Sequence, residues 1–176
     1  MKVWFYIFIV SVLTLTSASI NSNAAAPPLK EWQKCIGGSQ LDIPVKIERL
    51  KNGKLLMLSN VDSHDGDISS NHGSTDMWLT KLDSSGNILW EKSFGGSSID
   101  VGTGLIELEN GNIILSGYSS SNNNDIPLNH GNFDAFLMCL DSNANILLVR
   151  VFGGTQVDLC YSLISSREGE IGRAHV

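Results

Sequence analysis

One phrase occurs three times at constant spacing. The segments "IGGSQLD" (36–42), "FGGSSID" (94–100) and "FGGTQVD" (152–158) follow one another at 58-residue intervals. The same interval links Gly37, Gly95 and Gly153, then Asp42, Asp100 and Asp158, and also Gly53, Gly111 and Gly169. Aligning 33–90 with 91–148 needs no gap and gives 22 identities over 58 positions. Among them are Asp67/Asp125, the "NHG" triplets at 71–73 and 129–131, and Asp76/Asp134. A register held over two periods is the signature of tandem structural units, each hiding its apolar faces against its neighbours.

Each unit contains four strand signals. "GLIELE" (104–109) and "NIILSGY" (112–118) flank Asn110-Gly111, and Asn52-Gly53 stands at the same place one unit earlier. Asn-Gly between such runs predicts a two-residue type I′ hairpin. A polar loop follows, then "DAFLMCLD" (134–141), the turn "SNAN" and "ILLVRVFGG" (146–154). Their earlier counterparts are "DMWLTKLD" (76–83), "SSGN" and "ILWEKSFGG" (88–96). Runs such as "KLLML" are apolar at consecutive positions, so these strands are expected to be covered on both faces. Four short antiparallel strands, stacked face to face, describe a blade of a β-propeller. The expected fold is therefore all-β, with about two and a half four-stranded blades and an open ring. The double glycines are expected to permit a sharp turn at a strand end.

The domain expectation is a signal peptide at 1–24, a linker at 25–32, blade 1 at 33–90, blade 2 at 91–148 and a partial repeat at 149–169. The signal peptide is read from Met1-Lys2, the apolar run "VWFYIFIVSVLTL" and the small-residue tract that follows. That apolar run is shorter than the roughly 20 residues of a membrane-spanning helix. We therefore expect an exported chain with no integral membrane span in its mature part. The tail "EIGRAHV" (170–176) is what the DNA string GAG ATC GGA AGA GCA CAC GTC encodes. That string resembles a sequencing-library adapter, so 170–176 is read as an artefact and the chain as a fragment.

The chain is acidic, with a formal net charge of -6 and 17% charged residues. With no basic patch, nucleic acid is not an expected partner. The unknown partner is expected to be a protein or a glycan.

The combined pattern, Trp32, Lys34, Gly37, Gly38, Ser39 and Asp42, then Asp65, Gly66, Asp67, His72, Gly73, Asp76, Trp78, Lys81, Leu82, Asp83, Gly86 and Trp90, resembles a family of secreted bacterial repeat proteins. The resemblance covers 31–169. Many members end in a type IX secretion sorting domain, and some carry automated labels such as endoglucanase or bulb-type lectin-like. It implies a repeated scaffold and export, not a reaction. The second unit departs from the pattern: Phe136 replaces Trp78, Cys139 replaces Lys81, Ala144 replaces Gly86, Leu148 replaces Trp90, and "NNND" replaces "HDGD".

Candidate chemistry is sparse. His72 and His130 invite a metal or general-base reading, yet they recur at one repeat position, as fold-bearing residues do. A catalytic centre needs unlike groups converging on a point. Asp62, Asp65, Asp67 and Asp76 crowd one loop around Gly66 and could offer oxygens to Ca²⁺, but their spacing is not that of an EF-hand. No cofactor is expected beyond that possible calcium. Asp42, Asp100 and Asp158, one per unit after Gly-Gly, fit a turn-fixing role better than a glycosidase acid pair. The remaining repeat markers, Gly37, Gly38, Gly53, Gly73, Gly95, Gly96, Gly111, Gly131, Gly153 and Gly154, with Asp134, are assigned to the scaffold. Cys35, Cys139 and Cys160 occupy non-equivalent repeat positions. Three cysteines leave at least one outside any disulfide. The leading expectation is a non-catalytic binding or adhesion scaffold; the alternatives are part of a polysaccharide-acting enzyme or a lectin-like glycan binder.

Overall fold

A computed structural model describes residues 32–165. The expected signal peptide at 1–24, all but the last residue of the linker at 25–32, the end of the partial repeat at 149–169 and the tail at 170–176 lie outside the described residues. Two four-stranded antiparallel sheets make up the fold, and among the described residues there is no helix. The first holds β1 (Asp42–Arg49), β2 (Leu55–Val61), β3 (Asp76–Leu82) and β4 (Ile88–Phe94), paired in chain order. The second repeats them as β5 (Asp100–Glu107), β6 (Ile113–Ser119), β7 (Asp134–Leu140) and β8 (Ile146–Phe152). Each boundary in the second sheet lies 58 residues after its counterpart. Irregularities recur too: the ladder shifts between Pro44 and Lys46 in one sheet and between Gly102 and Gly104 in the other. The all-β, blade-like architecture is the expected one, and the two sheets do not close into a ring. Among the described residues no helix is long and apolar enough to cross a membrane.

The core lies between the sheets. Leu56, Leu58, Met77, Leu79 and Phe94 from the first meet Leu105, Ile113, Leu115, Phe136 and Met138 from the second. Consecutive burial of Leu55, Leu56, Met57 and Leu58 explains the unbroken apolar run in β2. Alternate residues serve two different interfaces, because side chains in a strand point to opposite faces. Met57, Val61 and Trp78 form a second cluster on the opposite face of the first sheet.

The Asn-Gly hairpins differ from expectation. Leu50 and Lys54 close the β1–β2 loop (Leu50 N to Lys54 O, 2.9 Å), while Gly53 N donates to Leu50 O at 2.9 Å. Gly53 has φ of 79°, but Asn52 is not among the residues with positive φ. A type I′ turn requires positive φ at both central residues, so this is the three-residue loop in which only the glycine is left-handed. Gly111 repeats it, with φ of 84°. The β3–β4 turn uses the same device: Gly86 has φ of 77°, and Ala144 takes its place in the second sheet with φ of 61°.

The two sheets are joined at one end by a parallel bridge between Thr75 and Ile99. Asp100 N donates to Thr75 O at 2.7 Å, and Ser74 N to Ser98 O at 3.0 Å. Asn60 adds a two-way clamp on Gly102, accepting from its N at 2.8 Å and donating to its O at 3.1 Å.

Candidate functional site

The polar residues singled out by the repeat collect at the end of the sheets carrying the β2–β3 and β6–β7 loops. There they surround the Gly-Gly segments. In the first unit four successive backbone amides are each received by a different side chain. Gly37 N donates to Asp67 Oδ2 (3.0 Å), Gly38 N to Asp42 Oδ2 (2.8 Å), Ser39 N to Asp65 Oδ1 (2.7 Å) and Gln40 N to Ser63 Oγ (2.9 Å). The second unit repeats all four. Gly95 N reaches Asp125 Oδ2 (3.2 Å), Gly96 N reaches Asp100 Oδ2 (2.6 Å), Ser97 N reaches Asn123 Oδ1 (2.9 Å) and Ser98 N reaches Ser121 Oγ (3.0 Å). A row of amides bent away from any sheet ladder needs acceptors from elsewhere; the β2–β3 loop provides three of them and Asp42, at the start of β1, the fourth.

Asp65 and Asn123 do the same work. Ser39 N needs an acceptor oxygen, not a negative charge, which accounts for Asn123 standing where Asp65 stands in the first unit. The carboxylate one level deeper is more demanding. Asp100 is fully buried and receives the Ser119 hydroxyl on Oδ1 and the Ser121 hydroxyl on Oδ2 (2.7 Å), besides Gly96 N. Asp42 is held likewise by Gly38 N and Ser63 Oγ (2.9 Å).

The "NHG" triplets shape the neighbouring turn. Asn71 donates from Nδ2 to Val61 O (3.0 Å) and accepts from Gly73 N (2.9 Å). His72 approaches Asp76 Oδ2 twice, through its backbone N (2.7 Å) and its Nδ1 (2.8 Å). Asn129, Gly131, His130 and Asp134 repeat every one of these contacts. Burial pushes the Asp76 carboxyl above its ordinary value, opposed by the hydrogen bonds from His72, with the charge of Asp100 adding to the rise. Its second oxygen, Oδ1, has no hydrogen-bond partner, and neither does Oδ1 of Asp134.

That oxygen explains Gly95. A Cβ built there would stand 2.4 Å from Asp76 Oδ1 and 2.9 Å from Asp100 Oδ2. Gly153 sits in the same way between Asp134 and Asp158. The expected sharp turn is thus not why these positions are glycine: neither has positive φ, although Gly37 does at 140°. They are glycine because two carboxylates press against the backbone.

The four loop aspartates do not converge. Asp65 and Asp67 accept from Ser39 N and Gly37 N, Asp62 accepts from Thr75 Oγ1 (2.7 Å), and Asp76 is held by His72. Among the described residues no group of three or more His, Cys, Asp or Glu side chains is placed to hold a metal ion. The cysteines are separate as well: Cys35 is exposed, Cys139 partly buried and Cys160 buried, all as free thiols. Burial raises the Cys139 thiol.

Three repeated contributors carry no role in the sequence reading: Ser63/Ser121, Asn71/Asn129 and Lys34/Lys92. Lys34 Nζ reaches Asn87 Oδ1 (2.5 Å), and Lys92 Nζ reaches Ala144 O (3.0 Å) and Asn145 Oδ1 (3.1 Å), so each lysine secures a β3–β4-type turn. Their identity at 58-residue spacing was the available signal. Comparison with known proteins finds no family model that matches the chain and no curated protein that matches it.

Proposed function

We propose that this chain is an exported, non-catalytic repeat scaffold that binds a protein or a glycan through the exposed parts of its β2–β3 and β6–β7 loops. One observation carries the reading. The recurring residues best suited to acid–base or metal chemistry, Asp42/Asp100, Asp67/Asp125, His72/His130 and Asp76/Asp134, are each occupied in holding a backbone amide or the adjoining turn. Catalysis calls for unlike groups aimed at one reacting atom; here like groups are aimed at separate amides. What the loops leave outward differs between units. His64, Asp65 and Gly66 are exposed in the first, and Asn122, Asn123 and Asn124 in the second. Rigid sheets carrying variable loop tips are the usual arrangement of a recognition surface.

Export and membership of the secreted bacterial repeat family belong to this reading, supported by the N-terminal apolar run and the repeat pattern. The test is a glycan array and a panel of immobilised extracellular proteins, probed with the chain and with a variant carrying His64→Ala, Asn122→Ala and Asn124→Ala. Binding that the triple variant loses supports the proposal. Turnover of a polysaccharide by the purified chain overturns it.

A further inference from the structure

The third Gly-Gly segment stands in different surroundings from the first two. Gly95 and Gly96 are buried, whereas Gly153 and Gly154 are exposed. Of the four amide contacts made by each earlier segment, only Gly154 N to Asp158 Oδ2 (2.8 Å) is present among the described residues. Gly153, Thr155 and Gln156 have no counterpart of Asp125, Asn123 and Ser121 among those residues.

The sheet face beside this segment is open in the same way. Phe94 is 3% exposed under the second sheet, but its counterpart Phe152 is 49% exposed. Leu148, in the place of the half-buried Trp90, is 45% exposed. Arg150 stands where Lys92 stands, and Lys92 reaches across to the β7–β8 turn of the neighbouring sheet. The inner edge of the face is already occupied. Residues 158–165 follow the course β5 takes over the first sheet: the Phe133–Val157 parallel bridge repeats Thr75–Ile99. Asp158 N donates to Phe133 O at 2.7 Å, Thr103 Oγ1 donates to Cys160 O at 2.7 Å, and Leu163 packs on Gly104.

We propose that the outward face of the second sheet, with the amide row at 153–156, is a docking surface for a further unit of this repeat. Its occupant is specified by three complementary features. An apolar row like Ile113, Leu115, Phe136 and Met138 covers Phe152 and Leu148. A loop of the form Ser-x-(Asp or Asn)-x-Asp receives the amides of Gln156, Thr155 and Gly153. A tight turn with outward carbonyls receives Arg150. The interface between the two sheets has all three, so the docking surface continues an established interface. It does not depend on what the outward loop tips bind.

The probe is a synthetic peptide of residues 111–152, which carries the three outer strands and the Ser121-Asn123-Asp125 loop. It is added to the full chain and followed by amide hydrogen exchange. Exchange at 153–156 is expected to slow about tenfold or more on saturation, as amides leave water for stable hydrogen bonds. Phe152→Asp in the chain, or Ser121→Ala, Asn123→Ala and Asp125→Ala together in the peptide, is expected to abolish the protection. A second measurement uses a chain lengthened by a copy of residues 108–165 placed after Ser165; its 153–156 amides should become as protected as those of 95–98. Unchanged exchange at 153–156 in the lengthened chain overturns the proposal. So does protection that grows with chain concentration without peptide, which would assign the face to a second copy of the same chain.

Discussion

Two glycines of one motif face opposite consequences from the same added methyl group. At Gly95 a Cβ would enter the space of two buried carboxylates, neither free to swing away, since Asp100 is held by three donors. Gly95→Ala is expected to destabilise by about 3 kcal/mol or more, the range of overpacking combined with a broken buried polar network. At Gly154 a Cβ would meet nothing within 4 Å, and Gly154→Ala should fall within about 0.5 kcal/mol of the parent. Denaturant unfolding of the two variants checks both. The turns offer a parallel contrast. Gly53 and Gly86 have similar φ, so alanine costs about 1–2 kcal/mol at either for the left-handed backbone. Only at Gly86 does the new Cβ strike Trp32, at 2.7 Å from the ring. Gly86→Ala should therefore be the worse of the two and should also alter tryptophan fluorescence.

At the scale of the element, β4 and β8 are the same strand in two environments. Phe94→Ala removes a core ring and is expected to cost about 3–5 kcal/mol; Phe152→Ala removes a half-exposed one and should cost far less. The β3–β4 turn carries the clearest pH signature. Hydrogen bonds from Asn87 hold the Asp83 carboxyl below its ordinary 3.8, and Asn145 does the same for Asp141. A depressed folded value means stability that is complete above 3.8 and is lost as the pH falls through the lowered value. Asp83→Asn should thus cost more at neutral pH than in strong acid, a difference that melting curves at the two conditions would show. The strands and their pairing were legible in the sequence because apolar runs, turn residues and the 58-residue spacing all pointed one way. Turn type was not, since Asn-Gly suits both a two-residue and a three-residue loop; the backbone angle at Asn52 and the hydrogen bond from Leu50 N to Lys54 O distinguish them. The clustering of polar residues was legible as repetition, but the partners were not. Nothing in linear spacing says that Asp65 will meet an amide 26 residues away.

For the whole molecule, the acidic loops behave as internal acceptors. Each of Asp42, Asp65, Asp67 and Asp76 meets a backbone N–H, so the unit is expected to fold without added cations. A chelator should leave the melting midpoint unchanged, and a clear drop would restore calcium to these loops. The division of contacts between units also bears on how such chains change. Each amide row is caged by its own loop, while successive sheets meet through one parallel bridge, the Asn60 clamp and facing apolar rows. A genetic slip that inserts or deletes one 58-codon copy therefore rejoins matching surfaces. A slip of a single codon within a strand exchanges the side chains of its two faces and spoils the packing on both.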